Sequence, residues 1–292
     1  MMAKTITAAI ARYGLLGGDK LYQVRARLTL PYLVRQAKAG QTIYYSDLAR
    51  ELGIQNPRSF NYILGAIGNA LTELADHTKT EIPPIQCIVI NKQNELPGEG
   101  VGWFISRKDF GKLSKNQQKI IVDSELARVY TYQHWDWVLD QLSLEPLTIN
   151  ISEDLEKAKN FRGGGESDSH KRFKEFVSNR PELLGLKASL KNGDLEYKLP
   201  SADTVDIMFF DRELMIGVEA KSKISNADDI LRGLFQCVKY KSLLEAEQIA
   251  KNKIPNCRVL LALEGLLPDK YLNIKNLLGI EVIEGIEMRE KI

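Results

Sequence analysis

Cysteine, histidine and long apolar runs are all scarce in this chain. Its 292 residues include three cysteines (Cys87, Cys237, Cys257) with no paired or zinc-like spacing. They read as buried reduced thiols of a cytoplasmic protein and exclude a disulfide framework or a cysteine-built zinc site. The three histidines are too scattered for a His-rich metal site. No stretch approaches the roughly 18 uninterrupted apolar residues of a membrane span, and the first residues lack a signal-peptide pattern. The expectation is a cytoplasmic protein without a membrane partner. No G-x-x-x-x-G-K-[ST] segment occurs, which argues against ATP use by this chain.

The chain does contain enough apolar residues to fill real cores: 44% of residues are hydrophobic and 27% charged, the balance of a globular protein. Its length allows two ordinary domains or one large one. The formal net charge of +2 is uninformative, but its distribution is not. Residues 1–62 hold nine basic side chains (Lys4, Arg12, Lys20, Arg25, Arg27, Arg35, Lys38, Arg50, Arg58) against Asp19, Asp47 and Glu51. That excess suits a polyanion such as nucleic acid, and equally a solvated helical face with no partner. There is no internal repeat.

Around residues 146–165 the hydrophobic period lapses into "PLTINISEDLEKAKNFRGGG". A proline, mixed charges and three consecutive glycines predict a linker. Before it the pattern is mostly helical with one hairpin; after it, short apolar strands alternate with amphipathic helices. The expected fold class is therefore an α+β two-domain chain: a mostly helical domain over 1–145, a linker over 146–165 and an α/β domain with a mixed sheet over 166–292.

In the first half, "YYSDLARELGIQNPRSFNYILGAIGNALTEL" predicts a helix-turn-helix. Ser46 can cap a short helix carrying Leu48, Ala49 and Leu52, which Gly53 ends. A small residue four positions before a turn glycine lets two such helices pack closely. Pro57 suits the first turn of a second helix running through Phe60, Ile63, Leu64 and Ile67. Its N-terminal turn presents Arg58, Ser59 and Asn61, which can reach phosphates or base edges. "IQCIVIN" and "GVGWFI", joined by "KQNELPGEG", read as a β-wing, making the order that of a winged helix. A plain helical bundle with a hairpin is the competing interpretation.

Residues 41–104 also resemble the DNA-binding domain of the alkyltransferase-like proteins, which run from a "TYGELA"-type helix to a "PCHRVV" or "PWHRVV" strand. Here that strand is "PIQCIVIN". Alignment on Pro84 puts Ile85 in the nucleophile's place and alignment on Asn91 puts Gln86 there; Cys87 falls there in neither, and the His-Arg pair is absent. The resemblance implies a DNA-reading winged helix and argues against alkyl transfer.

In the second half, "TVDIMFF", a "DRE" turn and "LMIGVEAKS" predict a hairpin. Period-two alternation puts Glu219 and Lys221 on one face and Ala220 on the other. Such a hairpin can bring Asp206 near Glu219. Two carboxylates suit a hard divalent cation such as Mg²⁺, with water and phosphate completing its shell. An adjacent ammonium can position water and stabilise charge developing on phosphate. An E-x-K triplet alone says little, since exposed strands often pair such charges.

Together, Asp206, the hairpin and Glu219-Ala-Lys221 resemble the PD-(D/E)XK nuclease superfamily over roughly residues 163–292, with "VD" in place of "PD". The family often adds a metal-side glutamate from a first helix, and Glu166 in "GGGESDSHKRFKEFVSNRPELLGL" is so placed. Glu166, His170, Phe173 and Val177 share one helical stripe. Glu175 should face solvent. His170 reads as an ordinary helix-surface histidine, with a place beside the site as the alternative. In "DDILRGLFQCVKYKSLLEAE", Gln236 and Tyr240 lie on a stripe with Gly233 and Leu243. They match the Q-x-x-x-Y element of RecB-like members, which implies a place beside the metal and contact with DNA; a polar interruption of a core helix is the bland alternative. "RVLLALE", a helix and "GIEVIEGI" can complete a mixed sheet.

The resemblance implies a Mg²⁺-dependent DNA endonuclease, with Mn²⁺ able to substitute. Asp206, Glu219 and Glu166 would hold metal and Lys221 would serve catalysis on double-stranded DNA. A restriction or anti-phage role and a homodimer follow as expectations. The alternatives are a structure-selective repair or recombination nuclease and a DNA-binding regulator on an inactive nuclease fold.

Overall fold

The computed structural model describes residues 17–105, 110–148, 150–160 and 167–288. The fold is α+β and includes a mixed five-stranded sheet. The chain divides into two units, Met1–Ile149 and Asn150–Ile292.

In the first unit, α1 (Leu21–Lys38) leads through β1 (Ile43–Tyr44) into α2 (Tyr45–Glu51), and α3 (Phe60–Thr78) follows a 3₁₀ turn at Pro57–Ser59. Further on are β2 (Val89–Ile90), α4 (Lys115–Thr131) and α5 (Trp135–Gln141). Gly53, at φ +64°, ends α2: its N–H donates to the Arg50 carbonyl and the Ile54 N–H to that of Ala49. This closure satisfies carbonyls at the helix end. It buries Ala49 and Ile54 beside Phe60, Ile63 and Ile67 of α3. The Arg35 guanidinium grips both oxygens of Glu51, joining α1 to α2, and both side chains are buried.

Two expectations for this unit fail. Ser46 lies inside α2, whose cap position is Tyr44, because the chain arrives from strand pairing of Ile43 with Val89 and Tyr44 with Ile90. The hairpin wing does not form among the described residues: Ile85–Ile88 and Glu99–Trp103 are 3₁₀ turns, and β2 pairs in parallel with β1 instead. Glycines at 100 and 102 weaken the second expected strand, since glycine loses most entropy on extension and offers no side chain to pack.

The second unit opens with a helix. Residues Ile151–Asn160, expected within a linker, form helix α6, whose Ala158 is buried against the core. Glu153 and Asp154 occupy its first turn and Lys157 and Lys159 its last, the arrangement that complements the helix dipole. Then come α7 (Asp168–Ser178), β3 (Asp194–Lys198), β4 (Thr204–Asp211), β5 (Leu214–Lys221), α8 (Ala227–Ala250), β6 (Cys257–Leu263), α9 (Leu272–Leu277) and β7 (Glu281–Ile283).

The sheet order is β3-β4-β5-β6-β7. The β3/β4 and β4/β5 pairs are antiparallel; β5/β6 and β6/β7 are parallel. Ile216, Val218 and Ala220 of β5 pack with Phe173 and Val177 of α7 on one face. Leu231, Leu234, Cys237 and Leu244 of α8 pack with Val259, Leu261 and Leu263 on the other. Covering both faces buries the central strand throughout Ile216–Lys221. A carboxylate and an ammonium in such a strand are out of water and must be compensated.

Candidate active site

The β4–β5 register pairs Ile207 with Val218, which sets Asp206 across from Glu219 just beyond the last paired residues. The Asp206 Oδ2 atom accepts a hydrogen bond from the Ala220 N–H at 2.9 Å. Asp206 is thus pinned to the peptide between Glu219 and Lys221. Glu219 is 3% exposed and Lys221 7%. The Lys221 Nζ atom lies 2.9 Å from Glu219 Oε1 and 2.9 Å from Asp229 Oδ1 on α8.

Burial dominates the electrostatics. It pushes the Glu219 pKa up to about 8; the neighbouring Asp206 charge adds to this and Lys221 opposes it. Burial also raises Asp206, against the Ala220 N–H and the charges of Lys174, His170 and Lys221. For Lys221, burial favours the neutral amine, but Glu219 and Asp229 outweigh it and hold the ammonium above its ordinary pKa. The ammonium therefore stays charged, and Glu219 is readiest to take a proton.

Helix α7 closes the other side. It starts at Asp168 behind the Ser167 cap, and Glu166 lies outside the described residues. His170 faces the site and not open solvent: its Nε2 is 4.0 Å from Asp206 Oδ2. Glu175 is exposed, as its helical position predicts. Lys174 and Asp229 are additional members with no place in the sequence reading. Lys174 is buried, pairs with Glu196 and lies 3.7 Å from Asp206 Oδ1. Glu196 sits opposite Asp206 in β3 with φ +52°, a left-handed conformation uncommon for a non-glycine residue.

Gln236 and Tyr240 of α8 form a relay to the entry of β4. Gln236 Nε2 donates to the Tyr240 hydroxyl at 3.2 Å, which donates to the Thr204 carbonyl at 2.9 Å. Burial, then the charge of Glu219, raises the Tyr240 pKa, so the hydroxyl keeps its proton. The Gln236 Oε1 atom is buried without a hydrogen-bond partner among the described residues.

The remaining candidates belong to the first unit. Arg58 and Asn61 are exposed at the start of α3. The Arg58 N–H donates to Asn56 Oδ1, and Ser59 Oγ donates to the Asn56 carbonyl. Asn61 also lines a cavity of about 460 Å³ with Tyr45, Gly65, Gln86, Gly98 and Phe104. Gln86 is 4% exposed, and neither of its amide atoms has a partner among the described residues.

Among the described residues, no group of three or more His, Cys, Asp or Glu side chains could by itself hold a metal. What the second unit does offer is a buried carboxylate, Glu219, beside the partly buried Asp206; both resist ionisation and are flanked by buried lysines. A divalent cation would relieve that pair, and Mg²⁺ characteristically takes one or two protein carboxylates and fills its shell with water and phosphate. The donor set fits. No helix among the described residues is long and apolar enough to cross a membrane. No protein-family model, curated protein or solved structure matches the chain.

Proposed function

We propose that the chain is a Mg²⁺-dependent DNA endonuclease whose second unit cuts and whose first unit, a helix-turn-helix of winged-helix type without the hairpin wing, reads double-stranded DNA. The observation that carries this is the Asp206–Glu219–Lys221 group, two of its members buried and Asp206 partly so, at the adjoining ends of β4 and β5, fixed by the Ala220 N–H. Buried charges are costly unless compensated, and a fold stabilised only by packing has no need of three in its central strands.

Asp206 and Glu219 would hold the cation, which when bound supplies Lewis-acid stabilisation of charge on the phosphate. Lys221, charged and held in place, orients the attacking water and stabilises the developing negative charge. The water oxygen forms the new P–O bond as the bond to the leaving sugar oxygen breaks in line; the water gives up one proton to solvent and the leaving oxygen takes one from it. The Gln236–Tyr240 relay fixes the strand that delivers Asp206. The basic excess over residues 1–62 supports a polyanionic partner, with Arg58, Ser59 and Asn61 at the start of α3.

Cutting both strands with one such site per chain favours two copies, so a homodimer belongs to the proposal, as does a restriction or anti-phage role for a reader joined to a cutter. Incubating the protein with modified and unmodified plasmid DNA, with Mg²⁺, Mn²⁺ or EDTA, and sequencing the ends tests the reading. Defined ends in either metal and none in EDTA are expected. Ends formed equally in EDTA would overturn it.

A further inference from the structure

Helix α8 carries more of the site than its Gln236–Tyr240 pair. Asp229, Gly233, Gln236 and Tyr240 follow one another at i, i+4, i+7 and i+11, so they lie along one stripe. Asp229 is in the first turn of a 24-residue helix, where its N–H donates to the capping side chain of Asn226. Its carboxylate meets Lys221 Nζ at 2.9 Å. One turn on, Gly233 leaves the room in which the lysine stem lies. A Cβ at that position would stand 3.1 Å from Lys221 Cε and 2.9 Å from Leu261 Cδ1, tighter than side chains tolerate without shifting. The helix thus offers a groove for the stem and an anion for the tip.

We propose that Asp229 is the positioning residue of Lys221, with Gly233 making the place it holds it in; this rests on the nuclease reading above. Lys221 has two carboxylate partners, and that reading commits one of them, Glu219, to the cation. A buried ammonium left without a counter-charge would withdraw from its place. Asp229 belongs to a different element and stays with the lysine throughout. It acts through Lys221 and touches neither the cation nor the phosphate. A Mg²⁺-bound site with Lys221 in place therefore requires Asp229.

The test is single-turnover cleavage of the same plasmid DNA by the full chain, combined with mass-mapped acylation of Lys221 in protein equilibrated with Mg²⁺, where Glu219 is committed to the cation. Asp229→Asn lowers the rate about 10–100-fold, the range for groups that orient a metal site's working residues. It leaves DNA affinity unchanged and speeds acylation of the released Lys221. Asp229→Glu recovers part of the rate. Added to Lys221→Ala, Asp229→Asn has no further effect, because its only route to the chemistry is already gone. Gly233→Ala, which favours the helix intrinsically, also slows cleavage and serves if Asp229→Asn fails to fold. An Asp229→Asn or Gly233→Ala rate within a few-fold of wild type, with Lys221 acylated as slowly as before, overturns the inference. If Lys221→Ala is inactive in that case, the nuclease reading survives; if Lys221→Ala is fully active, both fall.

Discussion

Asp206 and Ala220 are joined by a 2.9 Å hydrogen bond from a backbone N–H to a carboxylate oxygen, and that bond ties together the two strands bearing the acids and the lysine. The acid is fixed by main chain and not by another flexible side chain. Its position relative to Glu219 is therefore as rigid as the hairpin itself, and a metal-binding pair of carboxylates depends on that kind of preorganisation.

The buried acids make metal-free stability depend on pH. Glu219, with its pKa pushed up to about 8, and Asp206, also raised, bind protons more tightly folded than unfolded. Their protonated forms are fully stabilising below the unfolded values, near 4. That contribution is lost as pH rises through the folded ones. Asp206, Lys221, Asp229 and Tyr240 all face Glu219, and His170 and Lys174 face Asp206. The metal-free melting temperature should fall between about pH 5 and 8 through these two groups, and Mg²⁺ should raise it more at pH 8.5 than at pH 6. Thermal scans of wild type and of Glu219→Gln, in which the slope shrinks, provide the check.

Arg58 tests the reader. If it contacts a base edge, Arg58→Ala weakens binding to the preferred DNA by about 1–3 kcal/mol and relaxes site choice. Loss of affinity equal for every sequence would reduce Arg58 to a phosphate contact. Binding titrations on preferred and scrambled duplexes at one salt concentration distinguish the two.

Gln86 tests the cavity beside Asn61. Leaving a buried amide unsatisfied costs about 1–3 kcal/mol, so Gln86→Leu should raise the melting temperature of the free protein. If the amide serves DNA reading, affinity falls in the same variant. A more stable protein that binds DNA unchanged would leave the cavity outside recognition.

The sequence made the β4–β5 hairpin legible because period-two alternation and a polar turn both mark it. It made α2, Gly53 and α3 legible for similar local reasons. The stripe of α8 was legible at Gln236 and Tyr240, and the same spacing extended back through Gly233 reaches Asp229; what the spacing omitted was that Lys221 would lie against it. Lys174 stands among Lys171 and Arg172 and carries no local sign of burial; only packing of α7 on the sheet removes it from water. The wing failed because β2 pairs with β1, some 46 residues away, a contact that no local pattern announces. Helix α6 hid behind a flanking proline and glycines, although Ile151, Leu155 and Ala158 carry helical spacing.

Arg35 and Glu51 form a buried pair holding α1 to α2. Arg35→Met or Glu51→Gln alone should destabilise the first unit by about 3–5 kcal/mol, since each removes one charge of a buried ion pair. Arg35→Met with Glu51→Leu should recover most of that loss. Urea unfolding of the three variants measures it, and single variants as stable as wild type would show that the pair is solvated in solution.

The most direct measurement of the central claim is single-turnover cleavage by Lys221→Arg at saturating Mg²⁺, beside Asp206→Ala and Glu219→Ala. A structural partner needs only charge, which arginine keeps. A residue that must reach the attacking water needs a compact ammonium, which a broad planar guanidinium replaces poorly. The account predicts that all three variants bind DNA, keep their fold and lose on the order of a hundredfold or more in rate. Lys221→Arg cutting within a few-fold of wild type, or either carboxylate variant turning over normally, would contradict it.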